Sequence, residues 1–172
     1  MSLVVRLAES ADLEAMIALN RVVQTIHASA DPEFFRTKVD DAELRGFLDN
    51  LLSMADSFVV LAELEKRPAG YLWFDIPEQS ATPFTHLKRR MRIHHLVVHE
   101  EERRRGVASA LMEAARTMAV SRELREIVLN TWSFNATAQA FFRTAGFEPF
   151  SIAMRQRITS ARACGEDICQ RP

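Results

Sequence analysis

Arg103-Arg104-Arg105-Gly106-Val107-Ala108 is the stretch on which the reading of this chain turns. It follows Ile93-His94-His95-Leu96-Val97-Val98, an apolar run with the composition of a strand. It leads into Val107 to Val120, where Val107, Leu111, Ala114 or Ala115, and Met118 recur at helical spacing. A strand, a short charged loop, a glycine and a helix together form a device for holding phosphate. The glycine lets the backbone turn tightly, and the first amide N–H groups of the helix lack intrahelical acceptors, so they converge on an anion. The competing reading takes Glu100 to Arg105 as a solvated charge run. The flanking strand and the Ala-rich helix favour the phosphate reading.

Working outward, a chain of 172 residues is long enough to bury a real core in one domain. Residues 1–159 read as that domain. Residues 160–172, poor in apolar residues, read as a flexible tail holding both cysteines, Cys164 and Cys169. Two cysteines make no disulfide framework, and no metal-ligand cluster flanks them. The 22 Lys plus Arg against 23 Asp plus Glu argue against a nucleic-acid or membrane field. The start of the chain has no basic, apolar leader, and no apolar run is long enough to span a bilayer. A cytoplasmic protein is expected.

Leu3 to Leu7 reads as an opening strand, and Ala11 to about Ala28 as a helix capped by Ser10, with Asp12 in its first turn. Asp41 to Met54 reads as a second helix. Ser57 to Leu64 and Ala69 to Ile76 form a hairpin around Glu65-Lys66-Arg67-Pro68. Pro77 to Leu87 is a loop, and Met91 to Val98 is the strand before the charged loop. Glu126 to Thr131, Asn135 to Ala145 and Phe147 to about Ile158 continue as strand, helix and final strand. Gly146 suits a left-handed helix end. The class is α+β (mixed α/β).

Three pieces in chain order resemble the GNAT superfamily of acetyl-CoA-dependent N-acetyltransferases. These are the strand Ile93 to His99, the Arg-x-x-Gly-x-Ala-like loop at Arg103 to Ala108, and Asn130 to Phe147, similar to Asn-x-x-Ala-x-x-Phe-Tyr-x-x-x-Gly-Phe. The resemblance implies a central, mostly antiparallel twisted sheet of six to seven strands with about four helices. It implies that backbone at Leu96, Val97 and Val98 pairs with pantetheine, the Leu96 N–H polarising the thioester carbonyl. Amides from Arg104 through Ser109 (Arg105, Gly106, Val107 and Ala108 between them) would then take the pyrophosphate, with the side chains of Arg103, Arg104 and Arg105 adding charge. Asn135 matches a cofactor-binding asparagine, though it equally suits an N-cap, and Phe142 stands where many relatives carry an acidic tyrosine. Acetyl-CoA is the implied co-substrate, with no metal. The resemblance also leaves room for a homodimer.

Acetyl transfer needs a neutral amine, and freeing an ammonium of pKa about 10.4 at pH 7 costs roughly 4–5 kcal/mol. His94 is the first candidate base, placed two residues before Leu96 and so on its face in a regular strand. His95 is the second, on the opposite face unless a bulge exchanges the two, and His99 is the third. Each histidine has the alternative of simple packing. Phenylalanine at 142 cannot donate a proton, which keeps open a non-catalytic acyl-CoA-binding module. The acceptor, a small-molecule or peptide amine, would enter past His27 to Asp40, Tyr71 to Asp75 and Pro77 to Arg90. Asp31, Glu33 and Asp75 are candidate attractors there, and Phe34, Phe35 and Trp73 a candidate wall. Lys88-Arg89-Arg90-Met91-Arg92 is the single local basic cluster, read as a charged strand edge rather than a nucleic-acid site.

Overall fold

The computed structural model describes residues 2–157. The expected tail, with Cys164 and Cys169, lies outside the described residues. The chain divides into two compact units, Met1–Ala136 and the remainder from Thr137.

The first unit is a sheet covered on both faces. Strand β1 (Leu3–Leu7) is followed by a single 3-10 turn, Ser10–Asp12, and helix α1 (Leu13–Ala30). Ser10 does not cap the helix. Asp12 instead accepts the Glu9 N–H at 2.8 Å and is held by Arg6, whose Nη1 and Nη2 reach its two oxygens at 2.7 and 2.8 Å. Helix α2 (Asp41–Ser53) is capped by Asp40, whose Oδ1 accepts from Ala42 N at 2.9 Å and Glu43 N at 3.1 Å. Strands β2 (Ser57–Leu64) and β3 (Arg67–Asp75) form the expected hairpin. Glu65 and Lys66 turn it with φ of 51° and 66°, the left-handed pair that matches strand twist.

Glu78–Gln79 (β4), inside the expected loop, pairs as a small ribbon with Lys88–Arg89 (β5), just past its end. Strand β6 (Met91–Val98), helix α3 (Val107–Ser121) and strand β7 (Ile127–Leu129) complete the βαβ core. The main sheet has five strands in the order β1-β2-β3-β6-β7, antiparallel except for the parallel β6–β7 pair. With the ribbon, the described residues hold seven strands.

One core lies between α1, α2 and the sheet. Met16, Ile17 and Leu48 meet Leu61, Tyr71 and Val97 there. Val107, Leu111, Met112 and Ala115 of α3 are buried on the other side. At Gly70, β3 lies close against both β6 and α3. An added Cβ would lie 2.4 Å from Val97 O and 3.2 Å from Val107 Cγ1.

In the second unit, helix α4 (Ala136–Thr144) carries Phe142, whose ring meets Phe141 and Phe147 at centroid separations of 5.5 and 5.7 Å. Gly146, at φ 89°, ends the helix as expected, with Phe147 N bonded to Phe142 O at 2.9 Å. The expected final strand does not form over residues 147–157, which have no regular structure, and Ile158 lies outside the described residues. Phe150, Ile152 and Met154 do alternate, but all three are exposed. Alternation records a capacity for pairing, and a strand exists only where a partner edge completes it.

Candidate active site

Strand β6 holds the site because its two neighbours treat it differently. The β7 register covers only Met91↔Ile127, Arg92↔Val128 and Ile93↔Leu129. From His94 to Val98 the β7-facing side of β6 carries no strand among the described residues. On the other side the β3 register shifts between Trp73 and Phe74: Trp73 faces His95, while Phe74 faces Ile93. His94 is therefore the extra residue of a β-bulge. This corrects the regular-strand placement of His94 on the Leu96 face. The His94 ring stacks on Trp73 at 4.2 Å, and the His95 ring meets the same indole edge-on at 5.0 Å. The bulge brings both histidines to one face.

The two rings have different chemistry. Asn20 Nδ2 donates to Tyr71 Oη at 2.9 Å, and that oxygen lies 3.1 Å from His95 Nδ1. Tyr71 is fully buried, so its own hydrogen needs an acceptor, and His95 Nδ1 is the one within reach. A neutral His95 then carries its hydrogen on Nε2 and acts as a donor. Burial pushes Tyr71 up, with the Asn20 bond a smaller opposing influence, so the phenol stays protonated near neutrality. Burial pushes His95 down to about 4, and the neighbouring His94 and His27 act in the same direction.

This depression has a sign that can be measured. Below pH 6.5 the unfolded chain takes a proton that the folded His95 refuses, until pH passes about 4. Stability therefore falls through that window, by about 3 kcal/mol from this residue. Urea titrations at pH 7 and pH 4.5 should show a smaller acid loss for His95→Gln than for the native chain. Equal losses would remove His95 as the cause.

His94 faces a carboxylate. Its Nε2 lies 3.0 Å from Asp75 Oδ2, although the N–H direction makes no formed hydrogen bond. Burial pushes the Asp75 carboxyl up. Arg92, at 2.6 Å, and His94 outweigh this and hold it below the usual range. Asp75 is thus committed to two partners and is not a free attractor for a cation.

Past Val98 the chain makes a 3-10 turn at Glu100–Glu102 and enters α3 through Gly106. Arg104 has φ 63° and Gly106 φ 84°, so left-handed residues alternate with others, as in anion-binding nests. The Arg103 N–H is spent on Glu100 O at 3.3 Å, and Ala110 N bonds Gly106 O. Between them, the amides of Arg104 through Ser109 have no backbone partner among the described residues. The side chains contribute less positive charge than three arginines suggest. Arg103 lies 3.5 Å from Glu100, and Arg105 pairs with Glu102, leaving Arg104 without an ion pair among the described residues. Asn135, at the end of a turn in which its N–H bonds Trp132 O at 3.0 Å, directly precedes α4.

On the histidine face, a cleft of about 360 Å³ opens between α1, α2 and the intervening loop, with His95 among its walls. Asn20, Gln24 and Phe47 line it as well, and the sequence reading missed all three. Asn20 had a signal: a polar residue beside the Met16, Ile17 and Leu19 core positions. Asp31 and Glu33 are not among the lining residues.

The chain belongs to the acetyltransferase (GNAT) family, whose model matches residues 22–147. No curated protein matches it by sequence. Among solved structures, a mutant of the BH1408 protein from Bacillus halodurans superposes with a TM-score of 0.83 at 19% identity, covering 90% of this chain and 99% of that one. The aminoglycoside N-acetyltransferase AAC(6')-Iy in complex with CoA gives 0.73 at 16% identity, covering 92% and 96%. An aminoglycoside acetyltransferase from an uncultured soil metagenomic sample, in complex with sisomicin, gives 0.68 at 20% identity, covering 91% and 96%. Among the described residues, no helix is long and apolar enough to cross a membrane.

Proposed function

We propose that this protein is an N-acetyltransferase that passes an acetyl group from acetyl-CoA to a primary amine by direct attack in a ternary complex. The observation that carries the reading is that, among the described residues, two stretches of backbone close together in the chain lack a partner, one a strand edge and one a helix start. These are the β7-facing side of β6 from His94 to Val98 and the amides of Arg104 to Ser109. An extended chain of amides ending in a diphosphate is complementary to a strand edge followed by a helix N-terminus.

Leu96, Val97 and Val98 pair with the pantetheine, and Arg104 through Ser109 hold the pyrophosphate, with Arg103 and Arg105 flanking. Asn135 completes the cofactor side. His94, oriented beside Asp75, takes the ammonium proton, so that the amine nitrogen forms the new C–N bond as the C–S bond breaks. His95, its hydrogen on Nε2, serves as a donor to developing charge rather than as the base. The thiol leaves readily as thiolate at a pKa of about 8.5, so Phe142 in place of a proton donor does not bar turnover. The protein works in the cytoplasm as one catalytic domain, and a homodimer is compatible with the reading.

Calorimetry with acetyl-CoA, followed by thiol release over an amine panel, tests the proposal. Binding together with amine-stimulated thiol release is the expected result. Binding with no acceptor stimulating release would favour the acyl-CoA-binding module, the second reading that Phe142 supports.

A further inference from the structure

We infer that the acceptor is a monoamine carried on an aromatic or branched apolar body, and not a polycation, recognised in the cleft between α1, α2 and His95. The inference rests on the acetyl-transfer reading for its chemistry, but on separate observations for its specificity.

The first observation is the wall. Phe34 and Phe35 line the cleft from the loop between α1 and α2, and Phe47 lines it from α2. Phe35 stacks on His27 at 4.8 Å and meets Trp132 at 5.0 Å, while Phe34 meets Trp132 at 5.2 Å. Trp132 in turn stacks on Phe134 at 5.9 Å. Phe34 is 62% exposed and Phe47 45% exposed. Phenyl rings left this open around a cleft offer offset and edge-on contacts to another ring.

The second observation is charge. Among the described residues that line the cleft, Glu43 is the single carboxylate, and it is bonded to Arg36 Nη1 at 2.6 Å. Gln24 spends its amide on Arg36 O at 2.7 Å. His95 lines the cleft and His27 stacks on its Phe35 wall, and burial holds both toward the neutral form. One ammonium entering such a cleft is desolvated toward the free amine that the reaction needs. A polycation would bring further charges with no second carboxylate among the described lining residues to meet them.

The third observation is size. A volume of about 360 Å³ is near the lower limit of sites that enclose drug-sized ligands, about 300–1,000 Å³, and fits a one-ring amine better than a multi-ring sugar.

The test compares 2-phenylethylamine, isopentylamine, sisomicin and a lysine-containing peptide as acceptors with acetyl-CoA. It also measures direct binding of 2-phenylethylamine to the CoA-loaded protein by calorimetry. The two apolar amines should exceed sisomicin and the peptide at least tenfold in kcat/KM. Phe35→Ala should raise KM for 2-phenylethylamine about tenfold while leaving the CoA Kd unchanged. Phe34→Asp, an exposed change that adds a free carboxylate, should narrow the preference over sisomicin. If acetyl-CoA binds but no amine is turned over, acetyl transfer fails, while calorimetric binding of 2-phenylethylamine still upholds the specificity. Preference for sisomicin or the peptide, or no binding of 2-phenylethylamine, overturns the inference.

Discussion

Gly70→Ala should cost the protein both stability and coenzyme A binding. A Cβ at this position would lie 2.4 Å from Val97 O, 3.2 Å from Val107 Cγ1 and 3.3 Å from Val98 Cα. The nearest atom is backbone, held in the β3–β6 ladder by the Gly70↔Val98 and Tyr71↔Val97 pairs, so no side-chain rotation relieves the clash. The strand must move instead. Overpacking of this kind costs about 1–3 kcal/mol, occasionally more. In a chain of this size each kcal/mol lowers Tm by about 2–4 °C.

The functional loss follows from which atoms are displaced. Val97 and Val98 belong to the open edge, and Val107 is the first residue of the helix whose amides face the proposed diphosphate. One methyl group therefore disturbs both halves of the coenzyme path. Two other glycines calibrate the result. Gly46 lies inside α2 with open space around it, so Gly46→Ala should stabilise by roughly 0.5–1 kcal/mol through helix propensity. Gly106 has equally open space but φ 84°, so Gly106→Ala should cost about 1–2 kcal/mol through the backbone alone. Thermal melts and acetyl-CoA calorimetry on the three variants check the order. A Gly70→Ala protein that melts and binds like the native chain would refute the close-approach argument.

These expectations show where sequence is informative. Ser57–Leu64 and Met91–Val98 form strands over the expected spans, and in the first of them burial along nearly the whole strand leaves a continuous apolar signal. The glycine-led entry into α3 is legible for a similar reason: the φ of Gly106 is a local demand that one residue type meets without a steric penalty. The orientation of His94 is not legible. Alternation predicts it from β6 alone, but the bulge belongs to the pairing with β3, where Trp73 and Phe74 skip a residue. The strand expected after Phe147 fails on the same ground, since its alternating residues specify an edge without supplying the partner. The cleft is intermediate. Phe34, Phe35 and Trp73 stand out as aromatics in loop and strand, whereas Phe47 reads as an ordinary core position of α2 and proves 45% exposed. The Glu100–Arg103 and Glu102–Arg105 pairs were implicit in the charge spacing, yet only a turn brings them together.

His94→Gln should lower kcat about 100-fold or more, the usual scale for losing a positioned proton acceptor, without weakening acetyl-CoA binding. Stacking on Trp73 fixes the imidazole plane, and Asp75 Oδ2 lies 3.0 Å from Nε2. His95→Gln should cost less, because Nδ1 is occupied by Tyr71 and Nε2 already carries hydrogen. A purely structural role for His94 would give the same loss with every acceptor, so acceptor basicity separates the two explanations. An alkylamine of pKa near 10 must lose a proton against roughly 4 kcal/mol at pH 7, whereas an amine of pKa near 7 is already half neutral. The deficit of His94→Gln should therefore shrink at least tenfold when the weakly basic amine replaces the strongly basic one, with the native enzyme as reference. A deficit independent of acceptor pKa would assign His94 to packing against Trp73 and leave proton removal to desolvation in the cleft.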